Sequence, residues 1–137
     1  MKVYIAAKFE KKEEVRSLYK ILSEMGHNIT SDWTLHKMIR PYKKNHELAE
    51  EYSIEDINGV KDCDVFILLT DEEKSSGAHV ELGAAILSNI KSGKPIIYVI
   101  GSHTANSMFY FHPSVKRMDN IEEVLSEIKT INKREAC

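Results

Sequence analysis

Cysteine is scarce in this 137-residue sequence: there are two, Cys63 and Cys137. Two residues make no disulfide framework, and they lack the paired spacing of a metal site, so no metal is expected and a reducing cytoplasm fits best. Long apolar runs are missing as well. No stretch approaches the ~20 apolar residues of a membrane span, and the apolar part of MKVYIAAKFEKK is too short for a signal peptide. Neither sign of charge is in excess: 19 Lys and Arg stand against 21 Asp and Glu, a net −2. Nucleic-acid binding through a basic face is therefore not expected, while small anionic ligands stay open. The six glycines form neither a G-x-G-x-x-G nor a Walker A pattern, so no dinucleotide or triphosphate cofactor has motif support. There is no repeat, low-complexity segment or linker. The remaining composition, 42% hydrophobic and 29% charged, is that of a soluble globular chain, and residues 1–137 suffice for one domain with a real core.

Apolar periodicity orders what is present. KVYIAA (2–7), DVFILLT (64–70) and KPIIYVIG (94–101) are short runs without helical period, which predicts strands covered on both faces. HNITSDW (27–33) reads as a shorter strand and its exit, and SVKRM (114–118) as a last strand. Val15, Leu18, Ile21, Leu22 and Met25 recur at helical steps within 10–26, ending at Gly26. Helices are also predicted over 46–63, with a restart possible near Ser53, over 78–93, and over 120–133, where Asn120 can cap. Residues 34–46, polar and basic, read as a loop. Alternating strands and helices give a single-domain, flavodoxin-like, doubly wound sheet of five parallel strands with helices on both faces. Ligands of such sheets bind at the C-terminal strand ends.

The loops after the first, third and fourth strands are expected to share that rim. They bring Ala6 to Phe9, Asp71 to Gly77 with Glu81 behind, and Gly101 to Ser107. Lys8, Ser75 and Ser76 can hold an anion, Gly77 and its small neighbours let a ligand reach the backbone, and a helix N-terminus adds free N–H groups. Glu81, in "SSGAHVELGAA", is a lone carboxylate in a small, apolar stretch near the first turn of its helix. Spacing alone is equally satisfied by catalysis or by a favourable contact with the helix dipole. On the same terms Asp56 reads as a solvated helix residue, His79 as a partly exposed one, Trp33 as packing, and the serines as caps.

"EDINGV…DCDVFILL…SSGAHVELGAA" resembles the nucleoside 2-deoxyribosyltransferase family, which includes the deoxynucleoside 5′-monophosphate N-glycosidases. "VYIAAKF" is similar to that family's first strand and sugar-side loop. The resemblance implies that Glu81 is the nucleophile, that Asp56 handles the base and its proton, and that Tyr4 fills an aromatic substrate-binding position. Ser75 stands where the transferases carry an aspartate and the monophosphate hydrolases a serine that helps hold the 5′-phosphate. "NSMFY" (106–110) is similar to a segment that offers a serine, here Ser107, to a neighbouring subunit's site, which implies a homodimer or higher homo-oligomer. Lys8 and Glu10 depart from the serine and arginine of the hydrolases' first loop, and "SDWT" with residues 36–44 lies outside the family's well-known members.

The chemistry fits a carboxylate at position 81. The C1′–N bond of a nucleoside breaks through an oxocarbenium-like state, which a carboxylate below the ring can stabilise and then trap. A second acid, Asp56 or more weakly His79, can protonate the departing base. The expectation is cleavage of the N-glycosidic bond of a nucleoside or its 5′-monophosphate, with transfer to another base or to water. The alternative is a non-catalytic nucleotide-binding or sensing module on the same fold.

Overall fold

A computed structural model describes residues 1–136; Cys137 lies outside the described residues. Five parallel strands form one sheet in the order β2-β1-β3-β4-β5. They are β1 (Lys2–Ala6), β2 (Asn28–Ile29), β3 (Val65–Leu69), β4 (Ile96–Ile100) and β5 (Val115–Met118). Four helices connect or follow them: α1 (Lys12–Glu24), α2 (His46–Asp62), α3 (Ser76–Ser92) and α4 (Ile121–Ala136). This is the flavodoxin-like arrangement expected from the alternating pattern.

The three apolar runs become the three central strands because only a strand covered on both faces can bury every side chain. All five residues of β3 are buried, with Val65 and Ile67 in register with Val3 and Ile5 of β1. Right-handed crossovers place α2 and α3 on one face, where they touch each other. Helix α1 seats Val15, Leu18, Tyr19 and Leu22 on the opposite face. Ile21 and Met25, expected on that apolar stripe, are instead well exposed. Tyr19 takes the buried position, and Gly26, at φ 90°, ends the turn.

Two other expectations change. Helix α2 runs through Ser53 without a restart: the Ser53 hydroxyl donates to the Glu50 carbonyl at 2.8 Å and leaves the backbone helical. Helix α3 begins two residues earlier than its apolar period suggests, because Ser75 caps it by accepting from the Ala78 amide at 3.2 Å. Asn120 caps α4 as expected, accepting from the Glu123 amide at 3.0 Å.

Strand β2 is only two residues long, which exposes the edge of β1 beyond Val3. Side chains take over its unpaired backbone groups. The Ile5 amide donates to the Tyr19 hydroxyl at 3.0 Å, and the Trp33 indole N–H donates to the Ile5 carbonyl at 2.7 Å. The chain leaving β2 is thus pinned to the sheet at Trp33 and free to pass over the strand ends.

Candidate active site

Beside the C-terminal ends of β1 and β3, where the outgoing connections diverge, lies a cavity of about 390 Å³. Glu81 of α3 and Asp56 of α2 both line it. Tyr4, fully buried on β1, donates its hydroxyl to Glu81 Oε2. The Tyr4 ring is itself held by stacking on Phe66 of β3, 6.0 Å between centroids and 11° apart in plane. Tyr4 does not line the cavity. It stands behind Glu81 and orients the carboxyl, rather than meeting a ligand as its aromatic position implied.

Gly59 brings the second carboxyl close. A Cβ at this point of α2 would lie 2.7 Å from the Ser31 Cβ and 3.0 Å from the Tyr4 ring. Only a bare Cα lets α2 approach β1 so nearly, and Asp56 sits one turn earlier on the same helix. The Thr30 hydroxyl donates to the Gly59 carbonyl at 2.7 Å and ties the helix to the exit of β2.

Glu81 lies in the second turn of α3, not the first, so the dipole of the helix start acts on it weakly. The favourable dipole contact that the spacing allowed is therefore weak there. Burial pushes its carboxyl up to about 8; the Tyr4 hydrogen bond pulls it down, and the charge of Asp56 adds to the rise. Burial also raises Asp56, to about 6, against a lowering by His36 and with a further rise from Glu55. Asp56 Oδ1 is buried and accepts no hydrogen bond among the described residues. Two largely buried carboxyls in one cavity resist being ionised together, so near neutral pH the pair holds a single proton.

Sequence reasoning placed the loop after β4 on this rim. The structure puts the 33–45 segment there instead, and no residue of 101–107 lines the cavity. The segment is ordered by side chains. Arg16 donates to the Thr34 carbonyl at 2.7 Å, Asp32 accepts from the Thr34 amide at 3.0 Å, and the Asn45 amide donates to the carbonyls of Ile39 and Pro41. It brings His36, Lys37, Arg40 and Tyr42 to the cavity wall. These were not singled out individually, because the basic segment 36–44 has no apolar period to locate it; its charge density was the only signal.

The other sequence candidates divide. Ser75, Ser76 and Gly77 line the cavity. Ser75 uses a lone pair to cap α3 and keeps its O–H free to donate, while the first-turn amides of Ser76 and Gly77 have no intrahelical acceptor. Lys8 does not line the cavity; it pairs with Asp71 at 3.2 Å. Ser107 caps a 3-10 turn over Met108–Phe111, accepting from the Phe109 amide at 3.3 Å, and is likewise absent from the cavity wall. His79 is committed on both ring nitrogens. Nδ1 donates to the Ser75 carbonyl at 2.8 Å, so Nε2 accepts from the Tyr110 hydroxyl at 3.0 Å. It braces the start of α3 and lies outside the cavity lining, which removes it as an alternative proton donor. Trp33 packs in the core and anchors the segment through Ile5, and it also lines the cavity.

The arrangement can present a braced carboxyl to an electrophilic centre and a second carboxyl, able to carry a proton, to a leaving group. No family model matches the chain, and no curated protein matches it. Among solved structures it is similar to the Clostridium botulinum CMP N-glycosidase BcmB, at 20% identity and a TM-score of 0.61, over 95% of this chain and 99% of that one. The chain therefore shares the five-stranded α/β fold of that N-glycosidase, the fold that the sequence resemblance implies.

Proposed function

We propose that this protein cleaves the N-glycosidic bond of a nucleoside or nucleoside 5′-monophosphate. The carrying observation is the carboxyl pair of one cavity: Glu81 braced by the Tyr4 hydroxyl, and Asp56 with an unpartnered, buried Oδ1. The likeness in fold to a CMP N-glycosidase supports the same reading.

In the reactive form the single proton of the pair sits on Asp56 and Glu81 is ionised. As the C1′–N bond breaks, its electrons move to the base nitrogen, which takes the Asp56 proton. The positive charge developing at C1′ favours that distribution, since an ionised Glu81 stabilises it and then bonds to C1′. Water next attacks C1′, the glutamyl ester bond breaks, and the water proton passes to Asp56. A second base in place of water gives transfer. The open cavity admits either acceptor, so the acceptor is decided by what binds after the first base leaves.

A 5′-monophosphate is the favoured form of substrate. Ser75, Ser76 and Gly77 offer a hydroxyl and two free amides at the helix start, without the carboxylate that would repel a phosphate. Lys37 and Arg40 add positive charge to the lining of the same cavity, a part that the sequence reading gave to Lys8. Incubation with a panel of nucleosides and 5′-monophosphates, followed by chromatography of free base, tests the activity. Release of base by the wild type and not by Glu81→Gln supports it; no release from any member leaves the non-catalytic binding module as the reading. A kcat/KM ratio of monophosphate to nucleoside below one, unchanged in Ser75→Ala, removes the phosphate subsite.

A further inference from the structure

His36 has no part in the steps above, yet it is held with unusual care. Its ring lies on Tyr52, 3.8 Å between centroids and 2° apart in plane. Its Nε2 is 2.9 Å from the Glu55 carboxylate, and its side chain is 14% exposed. Tyr52 and Glu55 belong to α2, one turn and one residue before Asp56, so the two contacts hold the imidazole against the same stretch of that helix. His36, Tyr52 and Asp56 all line the cavity. A carboxylate only accepts, so Nε2 carries its hydrogen toward Glu55. Nδ1 has no hydrogen-bond partner among the described residues, and protonation there changes the charge of the ring without disturbing the stack or the Glu55 bond.

We propose that His36, clamped by Glu55 and Tyr52, is a positioning residue that sets whether Asp56 holds the proton needed by the leaving base. This rests on the N-glycosidase reading for its function, though not for its geometry. A cationic imidazole beside Asp56 favours the ionised carboxylate, which is the spent form of the acid. A neutral one leaves burial to keep the proton in place. The opposing influences on Asp56 follow this pattern: burial raises it, His36 is the main lowering influence, and Glu55 adds to the rise. The other titratable groups around the cavity are Tyr52 on α2, Lys37, Arg40 and Tyr42 on the 33–45 segment, Glu81 on α3, and Tyr4 behind it. Lys37 and Arg40 are exposed, where solvent and salt screen them.

The test follows the Asp56 carboxyl carbon by NMR across a pH titration in the full chain, for wild type, His36→Phe and His36→Arg. Phenylalanine keeps the stack and removes the charge. Arginine keeps a planar group able to stack and to pair with Glu55, and its charge is permanent. The Asp56 midpoint is expected to move up in the first and down in the second, each by roughly half a pH unit or more. The pH profile of base release is expected to move in the same two directions. Midpoints that stay put, or that move the same way in both variants, overturn the proposal, since lost packing alone gives no opposite signs. If the phenylalanine variant does not fold, His36→Gln serves as the neutral member. The NMR midpoint needs no turnover. Opposite shifts in a protein that releases no base would keep the coupling and overturn the reaction; unmoved midpoints in an active enzyme would overturn only the role of His36.

Discussion

Tyr4 precedes Glu81 by 77 residues, and its hydroxyl meets the glutamate across the sheet–helix interface. That contact separates charge from shape. Glu81→Gln keeps a carbonyl to accept from Tyr4 but cannot ionise, so base release is expected to fall about 10³-fold or more, with the circular dichroism of the fold unchanged. The same variant has a stability signature. The folded carboxyl titrates near 8, far above its unfolded range of about 4.3. Between those values the native state binds more protons than the unfolded one, so the group's contribution to stability is lost as pH rises through the window. Glu81→Gln is therefore expected to raise the melting temperature at pH 8 and to change it little at pH 4; an equal effect at both would deny the burial of the charge. For Asp56→Asn the expected loss is roughly 10²–10⁴-fold with an ordinary base and much less with an activated leaving group. In wild type kcat/KM is expected to peak between about 6 and about 8, the values of Asp56 and Glu81. The alkaline limb reports loss of the pair's last proton, and it is expected to disappear in Asp56→Asn with the activated substrate.

Between elements, the decisive contact is Gly59 of α2 against Tyr4 and Ser31. Gly59→Ala asks α2 to move away from β1, at a cost of about 1–3 kcal/mol, and carries Asp56 with it. Urea titration is expected to show the loss of stability, and activity is expected to fall by more than the folded fraction does. Activity that tracks the folded fraction would mean that Asp56 tolerates the displacement. The strands were legible because VFILL and IIYVI leave no charged residue for a solvent face. Glu81 and Ser75 were legible as members of a pattern, but the cap that moves Glu81 into the second turn was weighed only as a bland possibility. The 33–45 segment was not legible. Its place over the strand ends follows from β2 stopping at Ile29 and from Trp33 replacing the missing strand bonds, both tertiary facts. Gly59 stood in "EDINGV" without a mark, because a helical glycine says nothing until its neighbour is known.

At the scale of the whole molecule, α3 turns Glu81 inward and Val80, Leu87 and Ile90 outward, the last three 64%, 58% and 61% exposed. Met108, Phe109 and Phe111 stand out from the turn after β4. Surfaces of this kind suit a second copy of the chain, and light scattering at working concentrations is expected to give at least twice the mass of one chain; a fully active monomer would contradict it. The burial of Glu81 gives the molecule a proton inventory as well. Near neutral pH the free protein keeps a hydrogen ion on Glu81 that an ionised nucleophile cannot keep. A nucleoside mimic with a fixed positive charge in place of C1′ should therefore drive it onto Asp56 on binding. Calorimetry at pH 7 in buffers of different ionisation enthalpy is expected to report little net proton release when the cationic mimic binds wild type and up to about one proton in Asp56→Asn, where no second carboxyl can take it, so that the heat of binding itself records how the empty site stores its acid.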